Sequence, residues 1–277
     1  MNPHHTFPPQ KILVPTDLST VSESALKYAR YFNKHFQSEV IVLHAHHFEL
    51  PPYFSSGQIN NLKRELKRLG RAAQRYVREQ SEPALGFPPQ VRVAENTPAE
   101  AILEMSRDDG YELVIMSMHG RRGLERLWLG SVTERVLRHS SLPVLAVRNP
   151  PSEEPFQRLL CPVSLSDAGK QALEYAASIS RSTGSHITVL HVVEEGQQPL
   201  DCPLVGADIK QSCNVEETML KGNAARTIVE ASINLKPDAL VMGAEHKPTL
   251  LGELFSSTTE SVMQLAAVPL LVVPKKD

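Results

Sequence analysis

The sequence KILVPTDLS at residues 11–19 returns 147 positions later as RLLCPVSLS at residues 158–166. Farther along the chain the offset becomes 126, and LVIM at residues 113–116 is matched by ALVM at residues 239–242. Self-similarity over this distance is the mark of a duplicated structural unit. The chain is therefore an internal duplication, and each copy serves as a control for the other.

Two domains are expected, over residues 1–149 and 156–277, with a proline- and acid-rich linker between them. Each is large enough to bury its own core. Of the 277 residues, 41% are hydrophobic and 22% are charged, which is an ordinary globular balance. The formal net charge of -2 provides no global basic field, so we expect no nucleic acid partner.

The three cysteines are too few for a disulfide framework, which favours a reducing compartment. No run approaches 18 apolar residues, and the first residues lack the plan of a signal peptide. We therefore expect a cytoplasmic protein without a membrane span.

Apolar strands alternate with helical patterns in the first half. Strands are predicted at residues 12–14, 40–43, 91–93, 113–117 and 144–147, and helices at 22–36, 59–79, 98–106 and 131–139. Continuous apolar strands separated by helices indicate a parallel sheet covered on both faces. The predicted fold class is α/β: two tandem Rossmann-like domains, each with a five-stranded, mostly parallel sheet and helices on both faces.

The second half is shorter by 21 residues, the change between the two offsets, and the loss falls opposite the helix at residues 59–79. The corresponding stretch, residues 197–215, contains Pro199, Pro203 and Gly206. The second domain should therefore lack one helix or keep only a short turn. The sheet face left bare would need cover from the other half or from a partner.

The helix at residues 59–79 has two distinct faces. An apolar seam follows heptad spacing and consists of Ile59, Leu62, Leu66, Leu69, Ala73 and Tyr76. The other face is rich in lysine and arginine. This pattern indicates either a sheet-packing helix with a solvated basic face, which we favour, or a surface for an anionic partner.

Ligands of parallel sheets lie outside the carboxyl ends of the strands. Pro15, Thr16 and Asp17 follow the first strand, and His44 and Ala45 end the second. His44 is matched by His191, which indicates a structural histidine. No spacing typical of a zinc site, a P-loop or a nucleophile elbow is present.

After the fourth strand comes MSMHGRRG at residues 116–123, followed by GSVTE at residues 130–134. Gly120 and Gly130 would let backbone approach a ligand closely. Ser131 is predicted to open a helix, whose free N–H groups favour phosphate. Arg121 and Arg122 could neutralise phosphate charge.

A simpler explanation is helix capping, because SVTE at residues 131–134 fits a capping box, as does STTE at residues 257–260. The capping pattern occurs in both copies, so it does not account for the glycines. In the second copy the positions of Gly120 and Gly130 hold His246 and Ser256, and Asp17 is replaced by Ser164. We expect the first copy to hold a nucleotide and the second to hold none.

These motifs resemble those of tandem universal stress proteins, which have an adenine nucleotide α-hydrolase-like fold. ATP-binding members carry Gly-x2-Gly-x9-Gly-(Ser/Thr), which Gly120, the nine-residue spacer, Gly130 and Ser131 match, whereas Ser117 replaces the first glycine. The resemblance implies a site for ATP, ADP or AMP, with or without Mg²⁺. It would comprise Pro15, Thr16, Asp17, Ala45, Met116, Ser117, His119, Gly120, Arg121, Arg122, Gly130, Ser131, Val132 and Thr133.

The resemblance places Asp17 and the Ala45 backbone around adenine and ribose, and the glycine loop around the phosphates. Asp17 could instead cap the turn that follows it. Three functions remain open: a stress-response sensor or adaptor that hydrolyses ATP slowly at most, an interaction module that binds a protein partner but no nucleotide, and an ATP-using enzyme. An intramolecular pseudo-dimer is expected, and both a monomer and a homodimer stay open.

Overall fold

The computed structural model describes residues 7–46, 56–107, 110–118, 129–198, 201–244, 246–249, 252–255 and 257–275. Side chains are described over the same ranges except for residues 56–68, 246–249, 252–255 and 257.

The first repeat alternates five strands with four helices. In chain order they are β1 (Lys11–Pro15), α1 (Glu23–Phe36), β2 (Glu39–His46), α2 (Ser56–Leu85), β3 (Gln90–Glu95), α3 (Pro98–Ser106), β4 (Leu113–Ser117), α4 (Ser131–His139) and β5 (Val144–Val147). The predicted spans of α3, β4, α4 and β5 are confirmed at both ends. The other predicted elements are present with extended or slightly shifted ends.

The second repeat follows the same plan with two changes. Its elements are β6 (Arg158–Pro162), α5 (Asp167–Thr183), β7 (His186–Val193), α6 (Ala207–Ser212), β8 (Asn214–Lys221), α7 (Ala224–Leu235), β9 (Ala239–Gly243), β10 (His246–Thr249), β11 (Gly252–Phe255), α8 (Ser257–Leu265) and β12 (Leu270–Val273). The six-residue α6 stands where α2 has 30 residues, so the predicted shortening is confirmed. The β10–β11 hairpin was not predicted.

The two repeats share one ten-stranded sheet with the order β3-β2-β1-β4-β5-β12-β9-β6-β7-β8. Across the described residues its neighbouring strands are parallel, except that β5 pairs antiparallel with β12, Ala146 opposite Leu270. The predicted five-stranded sheets are therefore two halves of one sheet, and an approximate two-fold axis passes between β5 and β12.

Helices cover both faces of this sheet. The first face, covered by α1, α2, α5 and α6, buries side chains such as Val14, Phe32 and Ile179. The second face, covered by α3, α4, α7 and α8, buries Leu13, Val136 and Met263. Successive residues of a strand point to opposite faces, which is why Leu13 and Val14 belong to different cores.

An aromatic cluster joins the repeats on the first face. The ring of Phe156, from the linker, lies 5.8 Å from that of Phe32 and 6.3 Å from that of Phe7. The Phe7 N–H donates to Ser178 Oγ on α5 (3.3 Å), and Ser182 Oγ donates to the Phe7 carbonyl (3.3 Å). The start of the chain is thereby held between α1 and α5.

The interpretation of α2 as a helix that packs through its heptad seam is wrong for the part whose side chains are described. Leu69 and Tyr76 of that seam are 58% and 54% exposed. The buried residues are instead Val77, Ser81, Ala84 and Leu85. The physical reason is that α2 packs on α1 and β3 through its C-terminal part, along a different stripe.

Candidate functional site

The first repeat has a crevice where β1 and β4 end side by side. The chain leaves β1 for α1 on the first face and leaves β4 for α4 on the second face. Neighbouring parallel strands whose connections diverge in this way form a topological switch point, where ligands of α/β sheets bind. The predicted residues lie on the two connections and at the end of β2.

The β1 wall of this crevice is built around the buried Thr16. Its N–H donates to the Leu43 carbonyl (2.9 Å), and its Oγ1 lies 2.9 Å from Ser22 Oγ. His44 Nδ1 lies 2.9 Å from the Thr16 carbonyl oxygen. The matching His191 Nδ1 lies 3.0 Å from the Val163 carbonyl oxygen, so the structural role predicted for His44 is confirmed.

Asp17 caps the turn that follows it. Its Oδ1 accepts hydrogen bonds from the Ser19 N–H (3.0 Å) and from Ser19 Oγ (2.6 Å). The alternative role considered for Asp17 is thus present in the structure. Ser19 was missed as a site residue, although Asp-x-Ser is a recognisable signal for such a turn.

Between Asp17 and Ser19, Leu18 adopts a left-handed backbone conformation with φ of 62°. This conformation costs a residue with a Cβ about 1–2 kcal/mol. The matching Leu165 is not among the described residues with positive φ. The strain is therefore confined to the repeat that carries Asp17, as is common at functional sites.

The β4 wall is tied to the start of α4. Thr133 Oγ1 donates to the Ser117 carbonyl (2.9 Å), and the Gly130 N–H donates to the Met118 carbonyl (2.8 Å). Met116 is buried in the second-face core, and Val132 is half-buried against it. Ala45 is also half-buried there and pairs with Ala94 of β3.

The predicted capping box at Ser131 is wrong. Gly130 is the N-cap (φ -67°, ψ 140°), Ser131 is the first helical residue, and no side chain caps the helix. The Glu134 carboxylate, which a capping box would direct back to the N-cap, binds Arg138 (2.7 Å). The first intrahelical bond runs from the Glu134 N–H to Gly130, which leaves the N–H groups of residues 131–133 without an intrahelical acceptor.

The backbone of Gly130 is ordinary for any residue, because its φ is negative. Conformational freedom therefore does not explain the glycine, and close approach of a ligand to Gly130 stays a prediction. His119, Gly120, Arg121 and Arg122 of the predicted site lie outside the described residues. Their arrangement stays a prediction.

The corresponding crevice of the second repeat is closed. Helix α5 begins at Asp167, the counterpart of Thr20, nearly one turn earlier than α1. Ser166 Oγ caps this extra turn by accepting the Gly169 N–H (3.2 Å). In the first repeat the same stretch forms a turn, in which the Ser22 N–H donates to the Ser19 carbonyl (3.1 Å) and to Ser19 Oγ (3.3 Å).

Two glycines allow this extra turn to pack tightly. A Cβ on Gly243, at the end of β9, would lie 2.3 Å from the Ala168 carbonyl oxygen, and a Cβ on Gly169 would lie 2.4 Å from the Ser164 carbonyl oxygen. The two walls of this crevice are therefore in backbone contact. In the first repeat Gly243 is matched by Ser117, whose Cβ excludes the same approach.

The Universal stress protein family model matches residues 9–148 and again residues 155–274. The chain belongs to the universal stress protein family. It is 33% identical to universal stress protein MJ0531 of Methanocaldococcus jannaschii over 147 residues, which cover 52% of this chain and 85% of the relative. It is 31% identical to universal stress protein MJ0577 of the same organism over 154 residues, which cover 50% of this chain and 94% of the relative.

A solved universal stress protein from Archaeoglobus fulgidus matches the whole tandem architecture. The similarity covers 98% of this chain and 100% of that one, with a TM-score of 0.74 and 24% sequence identity. This likeness shows the fold.

Membrane-spanning helices and metal clusters are both absent from the part of the chain that the structure describes. No helix there is long and apolar enough to cross a membrane. No group of three or more His, Cys, Asp or Glu side chains there could hold a metal ion. The three cysteines are free thiols.

Proposed function

We propose that the first repeat binds ATP, or the related ADP or AMP, and that one chain binds one nucleotide. The protein then acts as a stress-response sensor or adaptor in the cytoplasm, with slow hydrolysis at most. The observation that carries this proposal is the contrast at the switch points. In the second repeat β9 and α5 are in close contact through Gly243 and Ala168, whereas the matching residue of the first repeat, Ser117, carries a Cβ that is incompatible with the same contact.

The start of α4 supports phosphate as the ligand group. The N–H groups of residues 131–133 are free of intrahelical acceptors, and Gly130 presents no side chain in front of them. Helix N-termini with this arrangement attract anions through their N–H groups and dipole. His119, Gly120, Arg121 and Arg122 would complete the phosphate site. Mg²⁺, where required, would enter with the phosphates.

In this proposal the sugar and base lie along β1 and β4. Asp17 would accept hydrogen bonds from ribose or adenine, with Pro15, Thr16 and the Ala45 backbone beside it. Ser117 and the backbone of Met116 would flank the ribose. The contact with Ser19 sets the direction of the Asp17 side chain.

Titration calorimetry with ATP and Mg²⁺ tests the proposal, and a stoichiometry of one is expected. Gly130→Val should weaken binding at least about tenfold, since it places a side chain before the N–H groups without straining the backbone. Small molecules released from freshly purified protein, identified by mass spectrometry, should include an adenine nucleotide. A wild-type protein with no affinity for millimolar ATP would favour the interaction module without nucleotide.

Asp17→Asn separates the two roles of Asp17. Asparagine keeps the Oδ1 acceptor for Ser19 but removes the charge, so the turn should survive while nucleotide affinity falls. Ser164→Ala in the second repeat is the matched control and should leave affinity unchanged. If Asp17→Asn binds like the wild type and Asp17→Ala does not, Asp17 acts only through the turn.

A further inference from the structure

The sheet ends differently in the two repeats. Strand β3 has six residues and lies beside the 30-residue α2, whereas β8 has eight residues and lies beside the six-residue α6. Within the described chain, β8 is the last strand of the sheet and pairs only with β7. Its pairing is unbroken from Asn214 to Lys221, without a bulge or a proline.

Natural sheet edges are usually blunted by short strands, charged side chains, bulges, prolines or covering elements, because an open edge invites another strand. Strand β8 is neither short, bulged nor interrupted by proline, and it is protected chiefly by its charged residues Glu216, Glu217 and Lys221. Met219 and Leu220 are each 39% exposed. An edge of this kind is suited to pairing with a strand from another chain.

The side chains of β8 indicate which strand pairs with it. The register with β7 places Glu217 beside Val189, Met219 beside His191 and Lys221 beside Val193, all on the first face of the sheet. Along this face the order is therefore negative, apolar, positive. A row of this kind is complementary to itself when it is turned by 180°.

We propose that β8 pairs antiparallel with β8 of a second copy of this chain about a two-fold axis at Met219. Glu217 of each copy then lies opposite Lys221 of the other, and the two Met219 side chains meet on the axis. Opposite charges on directly facing residues stabilise an antiparallel pair. The pairing joins two ten-stranded sheets into one continuous sheet.

Both residues of the charged pair lie on this face. Lys221 is exposed. Glu217 accepts hydrogen bonds from the Leu204 N–H (2.7 Å) and from Lys210 of α6, and its side chain is 22% exposed. In the proposed pair Glu217 would share its carboxylate between Lys210 of its own chain and Lys221 of the other copy. The proposal is independent of nucleotide binding in the first repeat.

Cross-linking tests the register of the β8–β8 pair. The full-length chain carries Cys202→Ser and Cys213→Ser, so that no native cysteine outside the core interferes. Met219→Cys should form a disulfide-linked dimer on mild oxidation. Leu220→Cys is the matched control. Leu220 is as exposed as Met219, but in the proposed pair it lies opposite Thr218 of the other copy, on the opposite face of the sheet. Equal rates of cross-linking, or no cross-linking of either variant, would overturn the proposal.

Sedimentation measures the association itself. The wild-type chain should sediment at twice the mass of one chain, and Lys221→Glu, which faces Glu217 with a like charge, should sediment as a monomer. Glu216→Lys, an equal change of charge on the opposite face, should stay dimeric. Circular dichroism confirms that each variant is folded. A wild-type chain that stays monomeric up to its solubility limit, or a dimeric Lys221→Glu, contradicts the proposal.

Discussion

The two repeats share a sheet plan, an order of helices and a histidine bonded to the carbonyl that follows the first strand, yet they differ where the strands end. The first keeps a strained turn at Leu18 and a serine at the end of β4. The second extends its helix by nearly a turn and seats it on Gly243. The same framework thus carries two different arrangements at its strand ends, which illustrates that function depends on the site more than on the fold.

Closure also changes the meaning of a glycine. The family motif begins with glycine, and the second repeat keeps it as Gly243, whereas the first repeat has Ser117. From sequence alone, Gly243 looks like a remnant of a ligand loop. In the structure it is the surface on which Ala168 packs. A glycine at this position can therefore leave room for a ligand in one protein and for a neighbouring helix in another.

The largest effect is expected where the two repeats meet. Phe156→Ala should lower the free energy of unfolding by about 3–5 kcal/mol, because it empties the centre of the aromatic cluster that joins them. Urea denaturation measures the change. Phe87→Ala, which removes a half-buried ring of the first repeat, should cost less. Equal costs would mean that Phe156 does not join the repeats.

Exchanging the residues at the strand ends tests the closed crevice directly. Gly243→Ser should lower the free energy of unfolding by about 1–3 kcal/mol, because its Cβ would overlap the Ala168 carbonyl. The reverse change in the first repeat, Ser117→Gly, should cost less than about 1 kcal/mol. Both are measured by urea denaturation. If Gly243→Ser left the free energy of unfolding unchanged, α5 would not need its close contact with β9.

Much of this comparison could be predicted from sequence. The bounds of β4, α4 and β5 follow from strong local patterns, and the shortening at α6 follows from the change of offset. Closure of the second crevice could not be predicted, because it depends on how closely α5 approaches β9. The β10–β11 hairpin was missed because its residues align with the glycine loop. The single sheet was missed because the sequences of β5 and β12 are equally compatible with pairing to each other and with pairing to another chain.

Strand β6, the buried first strand of the second repeat, provides a test by pH. Burial raises the pKa of the Cys161 thiol from 9.0 to about 12. Unfolding then releases a proton above pH 9, so the stability present below that pH should fall, by about 1.4 kcal/mol at pH 10. Cys161→Val introduces the residue that the first repeat has at the matching position, Val14. This variant should lose the part of the pH-dependent fall in stability that comes from the thiol. An unchanged pH dependence in the variant would exclude the thiol as its source.

The smallest effect concerns Ser166 and its counterpart Ser19. They occupy matching positions in the two repeats, but we expect them to serve different roles. Ser166→Ala removes the side-chain cap of α5 and should lower the free energy of unfolding by about 1 kcal/mol without changing ATP affinity. Ser19→Ala removes the 2.6 Å bond to Asp17 and should weaken ATP binding, since Asp17 loses its fixed direction. Urea denaturation and calorimetry on both variants separate the two roles. If Ser166→Ala weakened ATP binding as much as Ser19→Ala, the second crevice would not be the closed one that the contact between Gly243 and Ala168 indicates.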